Sequence, residues 1–146
     1  MKRKRTLPQL KKKCWDLLSE WVRRSNADDG GYVRCYCCGA AIHWKEAQAA
    51  HFVPGRTGAV LLREDLLRPN CVRCNVFLNG NYHAFTLRMI DEVGRAKVEE
   101  FLALRYQTRK WTRSELEAFV DEYKRKLDGL SEPVEPLPIT YRVEQL

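Results

Sequence analysis

Cys35-Tyr36-Cys37-Cys38-Gly39, then His51-Phe52, then Cys71-Val72-Arg73-Cys74-Asn75 is the stretch on which the reading of this chain turns. Two Cys-x-x-Cys pairs in a basic chain of ordinary size match four thiolates around one tetrahedral zinc ion, Zn2+. A closed shell of four sulfurs keeps no coordination position open for a substrate, so such a zinc is structural. Cys35, Cys37 and Cys38 compete for two ligand positions. The x-x spacing and the following glycine favour Cys35 with Cys38 and leave Cys37 for packing. His51 and Asn75 are additions that a structural zinc does not require.

The 32 residues between Cys38 and Cys71 exceed what a plain zinc ribbon needs and leave room for a hairpin and a loop. Tyr32 to Cys38 reads as a short strand entering the first knuckle, and Trp44 to Ala49 as a helical turn. Ala50 to Val53 reads as a strand stopped by Pro54-Gly55, and Ala59 to Arg63 as its partner. That hairpin places His51 at its base, with Glu64 to Asn70 as a connection to the second knuckle. After Cys74 a helix is expected to begin, break at Gly80 and restart near Asn81.

The flanks read as helix. Leu7, Leu10, Cys14, Leu17, Leu18, Trp21 and Val22 recur at three- and four-residue steps, an amphipathic pattern within residues 1–25. The same 25 residues hold nine Lys or Arg against Asp16 and Glu20, so the polar face is either a solvated surface or a phosphate-contacting arm. Cys14, on the apolar stripe, is expected to be a buried inert thiol. Downstream, Tyr82, Phe85, Met89, Ile90 and Val93 form one stripe ending at Gly94. Val98, Phe101, Leu102 and Arg105 form a second, and Thr112-x-x-Glu115 is a capping box opening a third helix with Leu116, Phe119, Val120, Tyr123 and Leu127 inward. Pro133, Pro136 and Pro138 predict an extended tail over 131–146. The fold class expected is α+β, mostly helical. One zinc-containing domain would span 1–130, with its core at 32–81, the basic helix at 1–25 and further helices over 82–128.

The 146 residues carry a net charge of +7, which points to an anionic partner, with nucleic acid ahead of an acidic membrane surface. No apolar run is long enough to span a membrane, and no apolar stretch follows the basic start as in a signal peptide. An intracellular location is the expectation, where cysteines stay reduced and bind metal.

A lone histidine is ordinarily packed or solvated, and an asparagine after a knuckle is ordinarily a helix cap. Together His51 and Asn75 suggest a nuclease site, with the histidine deprotonating water and the amide oxygen helping to hold a divalent metal against a phosphate. Arg56, Arg63, Arg68 and Arg73 are candidates to neutralise phosphates; the plainer alternative for each is a solvated surface.

The pattern Cys35, Cys38, Gly39, Trp44, Ala49, His51, Phe52, Arg63, Cys71, Cys74, Asn75, Gly80 and Asn81 resembles the phage NinG, or Rap, family of recombination proteins. The likeness continues through Leu87, Ile90, Gly94, Val98, Glu99, Trp111, Tyr123 and Leu127, covering about residues 10–128. The resemblance implies a zinc-bound HNH, or ββα-metal, treble-clef-like nuclease core that cleaves branched DNA such as Holliday junctions and D-loops. His51 would be its general base and Asn75 a ligand of a catalytic Mg2+ or Mn2+. By their charge, Arg56, Arg63 and Arg73 are the residues expected on the DNA. A homodimer would suit paired cuts, and the place of action would be the cytoplasm of a bacterial host. HNH sites usually carry Asp or His before the catalytic histidine, where this chain has Ala50, and a central Asn where it has Leu66. Glu64, Asp65, Asn79, Asn81 and His83 are then the candidates for a second metal ligand. A non-catalytic zinc module that binds DNA is the competing expectation, favoured by Ala50 and Leu66.

Overall fold

The computed structural model describes residues 2–55 and 57–130, so Arg56 and the expected tail over 131–146 lie outside the described residues. The chain is mixed α+β and dominated by helix. Helix α1, Leu7–Ser25, opens on a capping box in which the Thr6 hydroxyl accepts from the Gln9 N–H and the Gln9 side chain accepts from the Thr6 N–H. Two two-stranded antiparallel sheets follow. Strand β1, Tyr32–Arg34, pairs with β2, Ala41–His43. Strand β3, Gln48–His51, pairs with β4, Leu67–Asn70. A π-turn over Arg73–Phe77 leads to α2, Tyr82–Val93, then α3, Arg95–Ala103, and α4, Arg113–Asp128. The Thr112/Glu115 capping box expected from sequence opens α4.

Strand alternation on β3 decides the layering. Successive side chains point to opposite faces of a sheet, and here each face meets a different helical layer. Ala49 packs with Leu10, Cys14, Leu17, Leu18 and Val22 of α1 and Leu116, Phe119, Val120, Tyr123 and Leu127 of α4. Ala50 packs on the other side with Phe52, Val53, Val60, Leu66, Phe85 and Met89, closed by Val98 and Phe101 of α3. Cys14 is fully buried and its thiol is pushed up to about 11 by that burial, as an inert packed thiol should be. Glu64 ties the first layer together. Its carboxylate accepts from the Trp21 indole and from the Tyr123 hydroxyl at 3.0 Å, and Lys126 Nζ lies 3.6 Å away.

The hairpin differs from the sequence expectation in its second strand. Residues 58–62 form turns, and His51 pairs instead with Leu67, Ala50 with Arg68 and Ala49 with Pro69. Ala59, Val60 and Leu62 are apolar because they are buried, 6%, 0% and 4% exposed, Val60 in the α2-side core and Leu62 in the α1-side core, and burial alone mimics a strand in sequence. Pro69 hides the true strand. A proline fits there because in a two-stranded sheet the outer edge of β4 needs no ladder donor. Its carbonyl still accepts from the Tyr36 N–H at 2.9 Å. The helical turn expected over 44–49 is cut short at Glu46, since β3 begins at Gln48. Leu7, placed on the α1 stripe by periodicity, is 43% exposed at the first helical position and lies outside the core that α1 builds with α4.

The loop between β3 and β4 is pinned from outside. The Trp111 indole N–H donates to Gly58 O at 2.9 Å, and a Cβ on Gly58 would lie 1.9 Å from Arg109 O. Only glycine permits that approach.

Candidate functional site

The four cysteines converge. Cys35 and Cys38 lie in the turn of the β1–β2 hairpin, while β4 runs directly into Cys71 and the π-turn carries Cys74. Their sulfurs all lie within 4.8 Å of one another, and Cys38 Sγ is 3.7 Å from Cys71 Sγ. A tetrahedron of sulfurs about 2.3 Å from zinc has edges of about 3.8 Å, so the set fits that ion. Burial pushes the Cys35 thiol up, but the backbone N–H groups of Cys38, Cys71 and Cys37 together outweigh it and bring it down to about 7. Asn81, in the left-handed conformation at φ 47°, turns its amide N–H to Cys74 Sγ at 3.4 Å. Cys37 stays outside the set and receives the Asn70 amide N–H at 3.4 Å, in keeping with the packing role read from its position. These four residues would hold zinc, which would cross-link the hairpin to the start of the π-turn.

Beside the knuckles lies a second feature, a cleft of about 480 Å³. It is lined by His51 and Asn75 together with Gln48, Trp15, Ser19 and Arg23. The structure thus brings the two sequence-singled residues into one space. His51 shares the Ala49 face of β3 and so meets α1, where the Trp15 ring stacks on the imidazole at 4.9 Å and 17°. Its Nε2–H donates to Leu61 O at 3.0 Å. A carbonyl can only accept, so the proton of the neutral ring sits on Nε2 and Nδ1 is the basic atom. Asn75 is fixed as well, its amide N–H donating to Gln48 Oε1 at 2.6 Å.

The other candidates go elsewhere. Arg63 forks onto Asp65, Nε to Oδ1 at 3.0 Å and Nη2 to Oδ2 at 2.5 Å, and this bond pulls the Asp65 carboxyl below its ordinary range. Arg68 is paired across the sheet with Ala50, so it points to the opposite face and ion-pairs with Glu92 of α2. Arg73 is exposed on the π-turn and does not line the cleft. Neither do Glu64, Asp65, Asn79, Asn81 or His83. Sequence reading missed Trp15, Ser19, Arg23 and Gln48. On α1, Trp15, Ser19 and Arg23 follow at four-residue spacing and lie along one side of the helix. That spacing was visible in the sequence, but nothing there told which side would face β3.

The family model described as "Bacteriophage Lambda NinG protein" matches residues 2–133. This chain belongs to the NinG family. It is 28% identical over 125 residues to "Protein ninG" of Salmonella phage P22 and 25% identical over 122 residues to "Protein ninG" of Escherichia phage lambda. Each match covers 77% of this chain and 58% of the relative, so the chain spans somewhat more than half the length of these relatives. No solved structure matches. No described helix is long and apolar enough to cross a membrane.

Within this family member, the two departures from the HNH pattern are packing positions. Ala50 is 1% exposed and Leu66 is fully buried, both in the core on the α2 side of the sheet. The residue before His51 therefore faces away from the cleft, and no side chain there reaches the site. Among the described residues the cleft offers an imidazole, two amides and the hydroxyls of Ser19 and Tyr82, with no carboxylate. Mg2+ and Mn2+ take carboxylate oxygens by preference, so these neutral donors do not by themselves fit such an ion.

Proposed function

We propose that this NinG-family chain is a structure-selective DNA endonuclease of phage recombination, cutting branched DNA such as Holliday junctions and D-loops. The β3–β4 hairpin followed by the π-turn and α2, with a four-cysteine zinc site beneath, supports a ββα-type nuclease core. The observation that carries the reading is the convergence of His51 and Asn75 in one cleft of a chain with net charge +7. His51, held by Trp15 and Leu61 O, is the general base. In the reaction proposed, a water oxygen bonds to phosphorus as one of its protons passes to His51 Nδ1, and the P–O3′ bond breaks with its electron pair on O3′, which takes a proton from solvent. Asn75, oriented by Gln48, presents an amide beside the base, the group the family resemblance makes a metal ligand.

The test is cleavage of a labelled four-way junction and a matched duplex, with and without Mg2+ or Mn2+, by wild type and His51→Ala. Cutting of the junction that vanishes in folded, zinc-loaded His51→Ala establishes both the activity and the base. Cutting that survives the substitution shows the site is misplaced. The absence of a carboxylate among the described residues of the cleft favours one second reading, a non-catalytic zinc module that holds DNA. Binding without cutting in either metal would select it.

A further inference from the structure

Arg23 is the one cation among the described residues that line the His51 cleft. Its guanidinium is half-buried and is held from behind: Nε donates to Ser19 O at 3.1 Å, Nη1 to Trp44 O at 3.3 Å, and the plane lies 5.4 Å from the Trp44 ring centroid. Those two carbonyls occupy two of its five N–H donors. No carboxylate among the described residues ion-pairs with it, and the nearest acid on its helix, Glu20, bonds to Arg24 at 3.1 Å. Burial lowers the pKa of Arg23, opposed only in part by Glu20. A cation placed at that cost against neutral groups, in a cleft with no acid among its described lining residues, is stabilised most by an anion entering the cleft.

We infer that Arg23 is a phosphate-binding residue, gripping a backbone phosphodiester of nucleic acid beside His51 and Asn75. The class of anion rests on the nucleic-acid reading above; the preorganised cation does not. The side chain is already fixed by Ser19, Trp44 and the indole face, so little rotamer freedom is lost on binding. The fork geometry of a guanidinium suits two oxygens of one phosphate. Arg63 and Arg68, in contrast, are paired with Asp65 and Glu92 away from the cleft.

The test compares wild type, Arg23→Gln and Arg23→Lys as full, zinc-loaded chains binding a fluorescent four-way junction across a salt series, with Arg95→Gln as an exposed control. Arg23→Gln is expected to bind about tenfold more weakly and to lose about 0.9 from the slope of log affinity against log salt. Arg23→Lys should keep the slope while losing part of the affinity, and Arg95→Gln should change neither. Wild-type affinity and slope in Arg23→Gln, or equal losses in the Arg95→Gln control, overturn the inference. Should Arg23→Gln fail to fold, side-chain nitrogen NMR of the wild type decides. The Arg23 Nε–H signal must shift when junction is added, and a signal that stays put overturns the inference. Inorganic phosphate as a separate titrant distinguishes the sources, since a shift saturating with phosphate but absent with DNA contradicts a nucleic-acid site. Loss of binding in Arg23→Gln alongside a wild type that never cuts retains the phosphate site and removes the nuclease.

Discussion

Cys35, Cys38, Cys71 and Cys74 draw every donor from two tetrapeptides, whereas the cleft around His51 takes Trp15 and Arg23 from α1, Gln48 from β3 and Asn75 from the π-turn. The first arrangement is local twice over. The second exists only when α1 lies on the Ala49 face of the hairpin. The contrast separates two kinds of legibility. A ligand set bound by spacing is written in the chain, while a cleft made by packing is written in which side of each element is buried.

The largest effect should come from attacking the knuckles. Cys74→Ser, or chelation of zinc, is expected to abolish cooperative folding, since structural zinc in small domains contributes about 10–16 kcal/mol, comparable to a whole domain's stability. One zinc per chain by elemental analysis, and loss of dispersed amide NMR signals on chelation, check this. Zinc should also leave as pH falls, because protons compete for the thiolates. A chain that keeps the Trp15–His51 stack without zinc would break the comparison, showing the cleft to be independent of the knuckles.

Next comes Ala50→Asp, which restores an acid before the histidine. Because Ala50 is 1% exposed and faces the α2 core, the substitution is expected to cost about 3 kcal/mol or more as an unpaired buried charge. The midpoint of urea unfolding reads this. Unchanged stability with a gain of Mn2+ binding would mean that the position opens onto the cleft after all.

Trp15→Ala should be milder. The lost stack is worth about 0.5–1.5 kcal/mol, so cleavage should fall several-fold with zinc content intact. Imidazole nitrogen shifts should also move as the ring loses its stack, while Leu61 O still holds the proton on Nε2. An unchanged rate with unchanged shifts would reduce Trp15 to packing. Smallest of all is Arg63→Ala, whose partly exposed pair with Asp65 should contribute less than about 1 kcal/mol. No change in junction cleavage is expected, and a large loss would return Arg63 to the site.

Much of the fold was legible from periodicity and caps: α1, the α4 capping box, the restart of helix after Asn81 and the inert Cys14 all follow from local pattern. The second strand was not. Val60 and Leu62 look like strand because burial in a turn uses the same residues, and Leu67 to Asn70 do not because Pro69 breaks the pattern that an edge strand tolerates. In the site, His51 and Asn75 stood out as residues without need of the zinc, yet Arg63 and Arg68 stood out equally and lie elsewhere.

The sequence by itself determined which four cysteines could hold zinc, because pair spacing and thiolate chemistry suffice to single out a tetrahedral set. It also determined the helices and the basic charge. Tertiary structure alone decided which of the described arginines shares a cleft with His51. A two-residue strand period sends Arg68 to Glu92 with Ala50, while the opposite face carries His51 to Trp15, in the cleft that Arg23 also lines. No local rule states which face of β3 each helix will cover, since that choice is made by the packing of α1 and α4 across the whole chain.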